Sequence, residues 1–167
     1  LQYYSVWSTS KHDSFFRVTG NLYPGPFPMI VPVNSILRFS KAGELVLDPF
    51  VGSGTTLIAC AMFNRLGIGV DVNPEAQSAK NKRFSLVMEH EPRLKKALQA
   101  QRFVQGDSRD LSFLRDASID LAIAHPPYLD MKDYGPKGTY HDPSRYGGFL
   151  ADVFKEVHRV LKPQRYF

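Results

Sequence analysis

The stretch LVLDPFVGSGTT, residues 45–56, passes from an apolar run through a glycine-rich turn into a helical pattern. LVLDPF reads as a buried strand, and Leu57, Ile58, Ala61, Met62 and Leu66 recur at helical spacing behind Thr55, with Gly67 as the stop. Downstream the alternation continues. IGVDV (68–72) reads as a strand. Asn73-Pro74 then offers an N-cap and a first-turn proline for a helix to about His90, which Pro92 ends. A short helix over 93–99, a strand RFVQGD (102–107) and a strand IDLAIAH (119–125) follow. Phe149, Leu150, Val153, Phe154, Val157, Val160 and Leu161 mark one more helix, closed by Lys162-Pro163. Strands rich in Val, Ile and Leu between helices predict a doubly wound α/β domain, its mostly parallel sheet covered on both faces. Residues 1–34 and 129–148 fit neither pattern, and the second reads as a long loop, either functional or mobile.

The 167 residues, 43% of them hydrophobic, suit one domain with a sizeable core. No apolar run approaches the ~20 residues of a membrane span, and the first residues lack a signal-peptide pattern, so a soluble cytoplasmic protein is expected. Cys60 is the single cysteine and sits in an apolar helical pattern, as a small core residue would. The net charge of +5 is concentrated in residues 80–102, which hold Lys80, Lys82, Arg83, Arg93, Lys95, Lys96 and Arg102 against Glu89 and Glu91. Such a run reads first as a solvated helical face. The five histidines are scattered, without a second ligand at helical spacing, and no metal site is expected.

A glycine turn between strand and helix lets backbone approach a polar ligand. Here Gly54-Thr55-Thr56 lacks the lysine of a nucleotide-hydrolysing loop, and Gly52 and Gly54 alone fall short of a dinucleotide fingerprint. Asp48, Asp71 and Asp107 each close a different strand, on the edge where such sheets bind ligands. An acid after the second strand can take ribose hydroxyls, and one after the third can accept from an exocyclic amine. Together they point to a nucleoside-containing cofactor. HPPY, His125 to Tyr128, closes the next strand. Its prolines carry no N–H, so the Pro126 carbonyl and a neutral His125 nitrogen could accept both hydrogens of an aromatic amine stacked on Tyr128. A base in a duplex would have to be flipped out to reach them.

These motifs resemble those of the S-adenosylmethionine-dependent amino methyltransferases of DNA, which act on N6 of adenine or N4 of cytosine, over roughly residues 26–163. The resemblance implies a Rossmann-like class I methyltransferase fold and S-adenosyl-L-methionine as cofactor. It implies that Asp48, Gly52, Gly54, Thr55 and Thr56 meet the methionine portion, Asp71 the ribose, and Asp107 with Ser108 the adenine, with Pro49 and Phe50 also binding the cofactor. His125, Pro126, Pro127 and Tyr128 would carry catalysis. PFPMIVPVNSIL resembles the segment that closes over the methionine end, so residues 1–34 are expected to form that cover and 35–167 the methyltransferase domain. The family usually has Asp, Asn or Ser where His125 stands, which leaves the target base open. A neutral imidazole accepts and an imidazolium cannot, so activity is expected to fall as pH drops through the histidine pKa, ordinarily about 6.5.

The chain is expected to stop after the fourth or fifth strand, a fifth only starting at LKPQRYF, without the remaining strands or a target-recognition region; either it is a fragment or a separate region or subunit supplies them. DNA is the expected partner, ahead of RNA, with no membrane. Lys132, Lys137 and Arg145 interleaved with Tyr134, Tyr140 and Tyr146 suit phosphate contact and stacking. The alternatives are an RNA-base or protein-glutamine methyltransferase, or a silent cofactor-binding fragment.

Overall fold

A computed structural model describes residues 28–129 and 142–167. Five strands form one sheet: β1 (Leu45–Asp48), β2 (Leu66–Asp71), β3 (Arg102–Gln105), β4 (Ile119–Ala122) and β5 (Leu161–Tyr166). Their spatial order is β3-β2-β1-β4-β5, and every neighbouring pair is parallel. The helices are α1 (Ile30–Phe39), α2 (Thr55–Met62), α3 (Pro74–His90), α4 (Lys95–Gln99, after a 3-10 turn at Pro92–Leu94) and α5 (Pro143–Val160). The doubly wound α/β class is borne out. Successive strand residues feed opposite faces: Val46 and Leu121 join the core with Ile36, Ile58 and Val87 of α1, α2 and α3. Leu47 and Ala122 pack instead with Val153, Val157 and Val160 of α5.

Strand order reverses at β1. The chain builds outward through β2 and β3, then crosses back to lay β4 on the other side of β1. The C-terminal ends of β1 and β4 therefore flank the switch point, the crevice edge at which open α/β sheets take ligands. β1 and β4 are in register there, with Leu47 opposite Ala122 and the Ile123 N–H donating to the Leu47 carbonyl at 2.9 Å.

Several element ends differ from the sequence-based expectation. α2 stops at Met62 and not Leu66, because Asn64 takes the left-handed conformation at φ 58°. Gly67 does not stop the helix; it lies inside β2, where a Cβ would come within 2.7 Å of both the Gln101 Oε1 and the Leu57 Cδ2. The last helix does end ahead of Lys162-Pro163, one residue before the expected Leu161. α5 closes at Val160, and Leu161–Tyr166 forms β5 beside β4, with its proline on an edge strand where the missing N–H is tolerated. α5 starts at Pro143, six residues before the expected Phe149. The Asp142 carboxylate caps it by accepting from the Ser144 N–H at 2.9 Å, so residues 143–148 of the expected 129–148 loop are helix. α1 runs unbroken across the expected boundary at 34/35, while residues 1–27 and 130–141 lie outside the described residues.

Candidate functional site

Asp48 ends β1 with 2% of its surface exposed. Its carboxyl accepts from the Thr56 hydroxyl through Oδ2 and from the Phe50 N–H at 2.9 Å through Oδ1. Burial pushes its pKa up to about 7. The two hydrogen bonds oppose that rise and the negative charge of Asp71 adds to it. Thr56 thus braces Asp48 from the first turn of α2 and is itself buried.

The turn between them is keyed to β2. The Val51 N–H donates to the Val70 carbonyl at 3.0 Å, and the Gly52 N–H donates to the Asp71 Oδ2 at 2.9 Å. The other oxygen of Asp71 accepts from the Asn73 N–H, so one carboxylate ties the glycine turn to the start of α3. Gly69 in β2 makes room for Val51: a Cβ there would lie 2.4 Å from the Val51 Cγ2. Gly52 and Gly54 take φ of 47° and 84°, a region that admits glycine without strain. Gly54 is also pressed against α3, where a Cβ would meet the Lys80 Cγ at 2.8 Å.

Thr55 does not face Asp48. Its hydroxyl accepts from the Arg83 guanidinium at 2.5 Å, and the same Nη1 donates to the Ser53 Oγ at 3.1 Å. Arg83 is only 6% exposed, a buried cation behind the glycine turn. Counted with the solvated basic run, it was missed as a site residue. Its spacing on α3 with Ala76, Ala79 and Val87, all buried, is the signal that places it inward. Elsewhere in that run Arg93 pairs with Glu91, and Arg102 lies over the Phe113 ring at 5.3 Å.

Beyond β3, an open cleft of about 600 Å³ is lined by Val72, Gln105, Gly106, Asp107 and Arg109. The Arg109 guanidinium grips the Asp107 carboxylate, with its Nη2 at 2.6 Å from Oδ2, and holds it below the usual carboxylate range. Ser108 turns away: it is buried and donates to the Pro49 carbonyl at 2.6 Å, anchoring the start of the glycine turn. Arg109 also sits over the Phe149 ring at 5.8 Å, and Phe149 packs on Phe50 at 5.9 Å.

On the β4 side, the His125 Nε2 lies 2.7 Å from the Tyr128 hydroxyl with the rings edge-on, and Tyr128 is 39% exposed. The Pro127 carbonyl accepts from the Tyr146 hydroxyl at 2.6 Å. Of the aromatics expected to stack or touch phosphate, Tyr146 thus spends its hydroxyl inside the molecule. Lys132, Tyr134, Lys137 and Tyr140 lie outside the described residues.

The structure therefore brings Asp48, the glycine turn, Asp71 and HPPY to one sheet edge, with Asp107 on the flank of the same edge. Backbone approach at the turn, a buried carboxyl bonded to a hydroxyl and an N–H, and two further carboxylates could hold a polar, partly cationic nucleoside. Among the described residues no cluster of His, Cys, Asp and Glu is placed to hold a metal, and no helix is long and apolar enough to cross a membrane. Cys60 is buried, and burial pushes its thiol up, which keeps it unreactive.

Residues 2–82 match the family model described as DNA methylase, the N6/N4 methyltransferases. The type II methyltransferase M.HpaI of Haemophilus parainfluenzae is 41% identical over 71 residues, which cover 42% of this chain and 22% of that protein. M.SmaI of Serratia marcescens is 38% identical over 99 residues, half of this chain and 34% of that protein. The chain thus covers about a fifth to a third of the length of these relatives. Among solved structures, TrmN of Thermus thermophilus superposes with a TM-score of 0.56 at 23% identity, over 84% of this chain and 37% of that one. A geranyl diphosphate C-methyltransferase of Streptomyces coelicolor, solved with S-adenosyl-L-homocysteine, superposes with a TM-score of 0.54 at 17% identity, over 82% of this chain and 43% of that one. The resemblance read from the motifs and the Rossmann-like fold are both borne out.

Proposed function

We propose that the chain transfers a methyl group from S-adenosyl-L-methionine to the exocyclic amine of adenine (N6) or cytosine (N4) in DNA. The observation that carries this reading is the placement of the glycine turn and HPPY on adjacent strands β1 and β4, on either side of the point where strand order reverses. The DNA methylase match over residues 2–82 and the type II relatives favour DNA as acceptor.

The cofactor supplies an electrophilic methyl on a sulfonium. The chain's residues supply place and charge. The glycine turn, with Asp48 behind it, holds the methionine end; Asp71 receives the ribose and Asp107 the adenine. A flipped base stacks on Tyr128 and gives its amine hydrogens to the Pro126 carbonyl and to His125. The His125 Nε2 is engaged by the Tyr128 hydroxyl, so the incoming amine replaces that contact, and neutral His125 takes the proton the amine sheds.

The test is labelled methyl transfer to unmethylated duplex DNA, tRNA and protein in parallel, with His125→Ala beside the parent. Label in DNA that is lost in the variant supports the reading, and nucleoside analysis then names the base. Label in tRNA or protein alone replaces DNA as the acceptor, and cofactor binding without label in any acceptor overturns the reading.

A further inference from the structure

We infer that Tyr146 is a positioning residue for the HPPY motif: its hydroxyl, bonded to the Pro127 carbonyl, fixes the one torsion of the two prolines that neither their rings nor a following proline restricts. The inference rests on the reading of His125–Tyr128 as the substrate-amine site.

Proline chemistry settles most of the motif without help. The rings of Pro126 and Pro127 fix their own φ near −65°. His125 and Pro126 each precede a proline, which confines their ψ to the extended range. Upstream, the strand anchors the segment through the Ile123 N–H on the Leu47 carbonyl. Within the two prolines the torsion left open is ψ of Pro127, which turns the following peptide plane and, together with φ of Tyr128, sets where the Tyr128 ring stands. The Pro127 carbonyl belongs to that plane. The Tyr146 hydroxyl meets it at 2.6 Å, a short O–H to O contact. With Tyr128 so aimed, its hydroxyl reaches the His125 Nε2 at 2.7 Å.

Tyr146 is well placed to hold this position. It sits in the first turns of α5, behind the Asp142 cap, with its own N–H on the Asp142 carbonyl at 3.0 Å. Its ring packs near Phe149, which packs on Phe50 in the segment after β1. The helix that carries the constraint is thus seated against the cofactor side of the crevice. Partial burial pushes the phenol pKa above its ordinary value, so the hydroxyl stays a donor throughout the neutral range.

Tyr146→Phe deletes one oxygen and keeps the ring packing, so the fold should survive. Three quantities are measured on the whole protein: kcat for methyl transfer at saturating cofactor and DNA, the Kd for S-adenosylhomocysteine, and the imidazole signals of His125 by nitrogen NMR. The expected result is a fall in kcat of about tenfold or more, a Kd within twofold of the parent, and shifted His125 signals. A loss of thermal stability with unchanged kcat and unchanged His125 signals would overturn the inference, because it would leave Tyr146 a mere tether for α5. Shifted His125 signals in a protein that methylates no acceptor would instead sink the methyltransferase reading while sparing the positioning role.

Discussion

Asp48 and Asp120 lie on neighbouring parallel strands, both nearly sealed from water at 2% and 5% exposure, and the fold treats them in opposite ways. Asp120, in β4, receives the Leu45 N–H, the Lys162 ammonium and the Arg165 guanidinium, and Arg165 also grips Glu44. Burial alone would push the Asp120 carboxyl up, but these donors outweigh it and hold the pKa below the ordinary range. Asp48, at the C-terminal end of β1, receives a hydroxyl and an N–H, and its nearest charged influence is the carboxylate of Asp71. One buried acid is satisfied by the protein's own cations and closes the sheet onto β5. The other is left half satisfied at the crevice, as suits a group whose cation arrives from outside.

The largest effect that would sharpen this contrast belongs to Asp120→Ala. Removing this buried acid takes the acceptor from the Leu45 N–H and the partner from Lys162, and leaves Arg165 with Glu44 alone, so chemical denaturation should show a loss of about 3 kcal/mol. Asp48→Asn should not destabilise the ligand-free chain at neutral pH, yet it should weaken S-adenosylhomocysteine binding about tenfold or more by calorimetry. An equal loss of stability from both variants would break the comparison.

The pH dependence separates the same pair. A carboxyl raised from an ordinary value near 4 to about 7 binds more protons in the folded chain, so its contribution to stability is full below about 4 and drains away as pH rises to about 7. Asp120 has the opposite sign: its contribution is present above about 4 and is lost as pH falls through its depressed pKa. Denaturation midpoints at stepped pH should therefore lose their decline between pH 4 and 7 in Asp48→Asn. In Asp120→Asn it is the acid-side loss that should vanish.

Arg83→Met should have a middling effect, loosening the Ser53 and Thr55 hydroxyls and weakening cofactor binding several-fold while kcat at saturation holds. The smallest belongs to Arg109→Ala. The Asp107–Arg109 pair is half exposed, so the stability change should be about 0.5 kcal/mol or less, and salt should erase it.

What the sequence revealed and what it hid divide along physical lines. Parallel strands buried on both faces announce themselves as apolar runs, and Asn73-Pro74 marks the start of α3 because capping and proline act locally. Asp142-Pro143 carries the same local signal for α5, but the surrounding glycines and tyrosines read as loop and masked it. Of β5 only the start was legible, in LKPQRYF, since a proline argues against a strand unless the strand is known to lie at an edge. At the site, the residue types that gather at one sheet edge were legible from their strand ends. Their partners were not. Thr55 on Arg83, Ser108 on the Pro49 carbonyl and Tyr146 on the Pro127 carbonyl join residues far apart in the chain, and no periodicity encodes such a pairing.

The notch that Gly69 leaves for Val51 also has a bearing on the order of assembly. Val51 and Gly52 find their seats only on a β2 already aligned beside β1, and everything they need lies within the first strand-helix-strand crossover. The glycine turn can thus mature on the growing chain before HPPY has been synthesised, and a delay in pairing those two strands would show itself first as a lost pocket.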